Sequence, residues 1–245
     1  MLRRLVIACS LALLAVAAPA SAAAPARAGV AGCNPALAEG ERFVVFEGDM
    51  RSVKGAARMQ MRFGLQARPP AGKRWVDVAA AGFGSWTTAD AGVPRYVYRK
   101  RVEGLVAPAR YRAVVRFRWL SRQGRVLRRA QRTTGECVQP DLRPDLKVGR
   151  VELVGAAGPG LSRYRVRVRN EGRGAAGPFS VALRVAGQDQ PPGFLPGLAP
   201  GRRLTFELVA AACAPRSALL LVVDPDGSVA ESDEGDNSAR RPCPR

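Results

Sequence analysis

The stretch LLLVVDPDGSVAESDEGDN, residues 219–237, decides how the chain is read. Leu219, Leu221 and Val223 alternate with Leu220 and Val222 in a run apolar on both sides, the pattern of a buried strand. Asp224-Pro225-Asp226-Gly227 follows as a tight turn, because proline fixes φ and glycine accepts positive φ, so a hairpin is expected here. Working backwards, GLAPGRRLTFEL (197–208), PFSVALRVAG (178–187), YRVRVRNEG (164–172) and QPDLRPDLKV (139–148) are short alternating runs, each closed by Gly, Pro or Asn. Phe179, Val181, Leu183 and Val185 share one side of their run, and Leu204, Phe206 and Leu208 one side of theirs. Pro200-Gly201 suits the two central positions of a type II turn.

The first half repeats the pattern. Met59, Met61, Phe63 and Leu65 share one face, with Arg58, Gln60 and Arg62 on the other. In YRAVVRFRWL, Tyr111, Ala113, Val115, Phe117 and Trp119 point one way, and Arg110, Arg112, Arg116 and Arg118 the other. Such runs recur every 10 to 15 residues or so with turn residues between them and no convincing helical period. The expected fold is all-β: two immunoglobulin-like antiparallel β-sandwich domains in tandem, residues 33–139 and 144–243. The joint QPDLRPD (139–145) carries two prolines that disfavour helix.

Residues 1–28 read as a secretory signal: Arg3 and Arg4, an apolar core over 5–18, then small-x-small cleavage sites ending at Ala22 or at Ala28. The apolar run is shorter than the roughly 18 to 20 residues that span a bilayer, so membrane contact is expected only through this transient segment. An Ala/Pro/Gly linker is expected to reach Gly32, with structure beginning near Cys33. The protein is expected to be secreted or displayed at the cell surface. Removal of the signal takes Cys9 away and leaves Cys33, Cys137, Cys213 and Cys243. Four cysteines allow three pairings; domain logic favours Cys33 with Cys137 and Cys213 with Cys243.

The chain has no histidine. That removes Ser-His-Asp and Cys-His machinery, His-ligated zinc and the commonest general base. A carboxylate pair of the glycoside-hydrolase kind is the remaining catalytic reading, and the acids here are scattered or crowded into 224–236. No cofactor is expected. Asp224, Asp226, Glu231 and Glu234 form a weak calcium candidate whose spacing is not that of an EF-hand.

The net charge of +19 belongs mainly to the first half: residues 33–139 hold 21 basic and 8 acidic residues, residues 140–245 hold 15 and 12. Only Lys54, Lys73, Lys100 and Lys147 are lysines. Arg110, Arg112, Arg116 and Arg118 are the candidate polyanion-binding row, weighed against an ordinary wet strand face. Aromatic residues are not interleaved among these arginines as a single-stranded nucleic-acid surface would have them, so no specific nucleic acid is expected as partner. Trp86, flanked by Ser85 and Thr87, is the candidate for stacking on a glycan, while two of the three tryptophans are expected in the core.

The series Pro144-Asp145-Leu146, Val168-Asn170-Gly172, Gly197-Leu198-Pro200-Gly201 and Val223-Asp224-Pro225, with Val229, Glu231, Glu234 and Asn237, resembles the CARDB family of cell-adhesion-related bacterial domains. Asp236 stands where the closing pair of that family has its first Asn, which keeps the acceptor and loses the amide donor. The resemblance covers about the last two fifths of the chain. It implies an immunoglobulin-like sandwich, a surface or secreted location and a role in adhesion or scaffolding, with no defined ligand. The expectation is a non-catalytic protein binding a cell-wall polymer, glycan or surface protein. The rival reading is a carbohydrate-binding module using exposed aromatics.

Overall fold

A computed structural model describes residues 24–243. Residues 1–23, on which most of the expected secretory signal, Cys9 and the expected cleavage site at Ala22 fall, lie outside the described residues.

The described chain is all-β apart from one short 3-10 turn, and its strands sort into two halves. The first half contains β1 (Ala26–Asn34), β2 (Phe43–Arg51), β3 (Arg58–Arg68), β4 (Val76–Val78), β5 (Trp86–Thr88), β6 (Arg95–Glu103), β7 (Ala109–Leu120), β8 (Val126–Thr133) and β9 (Cys137–Gln139). One sheet runs β1-β2-β6; the other runs β4-β3-β7-β8, with β5 on β3 and β9 on β7, and the pairings are antiparallel. Between them lies one core in which Val44, Phe46 and Met50 of β2 meet Met61, Phe63, Val115, Phe117 and Trp119 of β3 and β7. The Trp119 indole N–H donates to the Arg51 carbonyl at 2.7 Å, so its one polar atom is satisfied inside the apolar layer. At Gly48 the facing sheet leaves no room for a side chain: a Cβ there would sit 2.6 Å from the Met61 sulfur.

The second half contains β10 (Leu146–Gly158), β11 (Leu161–Asn170), β12 (Phe179–Val185), β13 (Gln188–Asp189), β14 (Gly193–Leu195), β15 (Arg203–Ala211), β16 (Ala218–Val223) and β17 (Ser238–Pro242). Its sheets are β10-β11-β15 and β13-β12-β16-β17, with β14 on β12. Tyr164, Val166 and Val168 face Phe179, Val181, Leu183, Leu219 and Leu221 across a separate core. Each core draws on both of its sheets, so each half is a sandwich.

Two sequence expectations change. The first strand among the described residues starts at Ala26, ahead of Cys33: residues 26–34 form β1, Ala26 is 1% exposed, and the Pro25 carbonyl accepts the Arg51 N–H at 2.8 Å. Backbone pairing to β2 needs no bulky side chains, so a stretch that looks like linker by composition serves as a strand. The 219–237 stretch is no tight hairpin either. β16 pairs with β17, and residues 224–237 form one long loop between them in which Asp224–Gly227 is only the first bend.

Candidate functional site

The side chains of β7 that avoid the core stand on the outer face of the β4-β3-β7-β8 sheet. Strand pairing sets Arg118 opposite Gln60, Arg116 opposite Arg62, Val114 opposite Gly64, Arg112 opposite Gln66 and Arg110 opposite Arg68. On the other side of β7, Arg118 faces Arg129 and Arg116 faces Gln131. Like charges directly opposite each other in a sheet repel, so the question is what neutralises them.

At one end the answer is Glu136, which takes Arg110 Nη1 at 2.9 Å and Arg68 Nη2 at 3.3 Å. The Arg110 hydrogen bond holds its carboxyl below the usual carboxylate range. Further along the row, Arg112, Arg116 and Arg118 make no ion pair among the described residues. Their Nε groups donate instead to neutral amides: Arg112 to Gln66 Oε1 at 2.9 Å, Arg116 to Gln131 Oε1 at 3.1 Å and Arg118 to Gln60 Oε1. Gln60 is anchored by donating to Thr88 Oγ1 at 2.8 Å, and Gln66 by donating to Asp77 Oδ1 at 2.9 Å. The amides orient the guanidinium groups without cancelling their charge, and none of these Arg112, Arg116 and Arg118 bonds uses an Nη group.

Tryptophan braces the same groups. The Trp75 ring has the Arg112 guanidinium 4.1 Å and the Arg68 guanidinium 4.8 Å from its centroid, and the Trp86 ring has Arg118 at 4.0 Å. Both indoles are half-buried on this outer face, and only Trp119 is core. The expectation that two tryptophans are core therefore fails for Trp75. Of Trp86, the candidate for stacking on a glycan, one ring face is taken by the Arg118 guanidinium. Sequence distance hides this arrangement: aromatic residues absent from the β7 row arrive from β5 and from the turn before β4. The Gln-Arg partnership was likewise missed, and only the cross-strand register reveals it.

The acidic corner of the second half is organised differently. Asp224 accepts N–H groups of Ser228 and Val229 and the Ser228 hydroxyl; Glu231 accepts the Leu146 N–H and Asn237 Nδ2; Glu234 accepts the Glu231 N–H; Asp226 accepts the Ser180 hydroxyl at 3.4 Å. The calcium candidate Asp224, Asp226, Glu231 and Glu234 is thus corrected: these carboxylates tie the loop, and no metal-holding group of His, Cys, Asp or Glu occurs among the described residues. Burial pushes the Glu231 carboxyl up. Nearby, Lys147 Nζ meets Asp236 at 2.6 Å and Asp145 and Glu171 at 3.3 Å, and the Asp236 hydrogen bond leads in holding its ammonium well above the usual lysine value. Asp236, in the place of an amide, is thereby matched by a cation. Asn170 is 1% exposed and fully used: Oδ1 accepts from Asp145 and Gly172, and Nδ2 donates to Gly174 and Leu198. Gly172 must be glycine, since a Cβ would fall 2.5 Å from the backbone of residues 143–145.

Disulfides join Cys33 to Cys137 and Cys213 to Cys243, both within one half of the chain. No described helix is long and apolar enough to cross a membrane.

Comparison with known proteins gives a family for the second half. The CARDB family model matches residues 143–241. Among solved structures, the chain is similar to a CARDB domain from Pyrococcus furiosus, described as in complex with di-metal ions, with 22% identity over 42% of this chain and 88% of that one and a TM-score of 0.35. A Methanosarcina acetivorans domain whose name describes a cell surface protein matches at 21% identity over 40% and 88%, TM-score 0.36. Red sea bream transglutaminase matches at 10% identity over 91% of this chain and 32% of that one, TM-score 0.30. No curated protein matches. The sandwich that follows the joint is a CARDB domain, residues 143–241 of this chain.

Proposed function

We propose that this is an exported, non-catalytic protein of the cell envelope whose first sandwich attaches it to an anionic macromolecule, the CARDB domain acting as its scaffold. The observation that carries the reading is the uncompensated guanidinium series Arg112, Arg116 and Arg118, held by amides and indoles where ion pairs to carboxylates would neutralise it. A face that keeps like charges together without neutralising them is suited to receive negative charge from outside. Export is supported by the two disulfides, which persist in oxidising compartments, and by the CARDB domain, which is associated with cell-surface proteins. Absence of any histidine supports a binding role over catalysis.

The test is co-sedimentation of the chain with insoluble cell-envelope polymers at low and high salt. Pelleting at about 50 mM salt that is lost near 500 mM supports attachment by charge, because screening shortens the reach of the field to a few ångströms. Pelleting unaffected by salt, or turnover of a glycoside, would contradict it. The fold also bears on processing: a cut after Ala28 would remove residues that pair β1 with Gly48, Asp49 and Met50. The mature N-terminus is therefore expected upstream of Pro25, readable by mass spectrometry.

A further inference from the structure

We infer that the ligand of this face is an acidic polysaccharide, and that it seats in the groove over Gly64; this rests on the polyanion reading above. Gly64 has no side chain, and opposite it Val114 interrupts the outward arginine row of β7, so the two open a gap in the face. The gap is a groove of about 390 Å³ whose walls include Arg62, Arg116, Gln66, Gln131 and Asp77. Arg62 and Arg116 stand opposite each other on β3 and β7, and neither makes an ion pair among the described residues. An oxyanion entering between them relieves their repulsion and meets a guanidinium from each strand.

Asp77 decides the class of polymer. Its Oδ1 accepts from Gln66, and its Oδ2 accepts nothing among the described residues, so the groove offers a carboxylate acceptor beside its cationic donors. A polyphosphate has oxyanions and no hydroxyl donors along its chain, and it meets Asp77 with repulsion alone. A uronic-acid polymer carries a carboxylate for the arginines and ring hydroxyls that donate to Asp77 on the same residue, so it satisfies both walls. The indoles serve as backing for guanidinium groups, and recognition proceeds through hydrogen bonds and charge.

The experiment measures binding of the full chain to polygalacturonate, to inorganic polyphosphate and to neutral dextran at about 100 mM salt, for the wild type and for Asp77→Ala and the pair Arg112→Lys and Arg116→Lys. The expected result is tighter binding to polygalacturonate than to polyphosphate per charge and no binding to dextran. Asp77→Ala should weaken polygalacturonate about threefold while strengthening polyphosphate. The lysine pair keeps the charge and loses the amide-held fork, and should weaken polygalacturonate about fivefold. All these positions are on an outer face, and an unchanged melting temperature checks that each variant is folded. If Asp77→Ala strengthens both polymers, or if polyphosphate binds better to the wild type, the groove reads charge alone and the polysaccharide assignment falls while polyanion attachment stands. If the lysine pair binds as the wild type does, the preorganised fork is overturned. Failure of the wild type to bind either polyanion removes both readings.

Discussion

Two strands of this protein carry arginine at alternate positions, β7 in the first sandwich and β11 in the CARDB domain, and their surroundings differ. On β11, Arg165 reaches Glu207 at 3.0 Å, Arg163 reaches the same carboxylate at 3.7 Å and Arg169 reaches Glu171 at 2.8 Å. On β7 only Arg110, at the end of the row, has a carboxylate, and Arg112, Arg116 and Arg118 bind glutamines. Both rows satisfy the strand rule that alternate residues face water. The difference arises from the neighbouring strands: β15 sets Glu207 directly across from Arg165, whereas β3 sets Gln60, Arg62 and Gln66 across from the β7 row. A periodic arginine pattern thus says which side is wet, and the register of the adjacent strand decides whether its charge is available.

The comparison can be broken or sharpened by substitution. The largest expected effect separates the two sandwiches. Asn170→Ala removes a buried amide and leaves two part-buried N–H groups and two carbonyls of the CARDB domain without this partner; it should destabilise that domain by about 3 kcal/mol, while polyanion binding by the first sandwich is unchanged. Calorimetry read beside a binding assay tests this, and joint loss of both would mean that the halves do not behave independently. Next, replacing Arg112, Arg116 and Arg118 together by Gln should weaken polyanion binding on the order of tenfold, about 1.4 kcal/mol, whereas the same change at Arg163, Arg165 and Arg169 should alter it less than about twofold. Equal losses from the two triples would erase the distinction drawn here. Glu136→Gln should go the other way: releasing Arg68 and Arg110 extends the free row and tightens binding about twofold in the same assay.

The smallest effect is a pH dependence confined to the CARDB domain. Burial, with the neighbouring acids Glu234 and Asp224 adding to it, raises the Glu231 carboxyl, so the folded chain keeps a proton that the unfolded chain releases. The stability from this group is full below the usual carboxylate value and is lost as pH rises through the raised one. Glu231→Gln is neutral throughout, so the melting temperature of the wild type relative to the variant should fall by about 1–2 °C between pH 4 and pH 7. A difference that grows in favour of the wild type would show that the hydrogen bonds from Leu146 and Asn237 outweigh burial.

The fold was legible wherever bulky residues alternate. Met59 to Leu65, Tyr111 to Trp119 and Phe179 to Val185 bury the residues their period selects, because that period is set by the strand itself. β1 was not legible, since residues 26–32 are Ala, Gly and Arg with Val30 as the one bulky apolar side chain, too little for a period, and the strand is paired along its backbone to β2. The arginine row was visible as residues, yet its braces were not: Trp75 lies 37 positions before Arg112, and Gln60 lies 58 before Arg118. The acidic corner shows the same limit. Six carboxylates close in sequence suggest a cation site, and in the folded loop they accept from its own N–H groups, from Leu146 and Ser180 on neighbouring strands and, through Asp236, from Lys147.

The bridge from Cys33 to Cys137 spans 104 positions of sequence. A pull applied between the start of the first sandwich and the joint runs through that covalent link, so the strands between the two cysteines carry no tension. Fully drawn out, that chain would lengthen by about 350 Å. An oxidised tether of this kind stays short under load, and one exposed to reductant would pay out like a spring released from its catch.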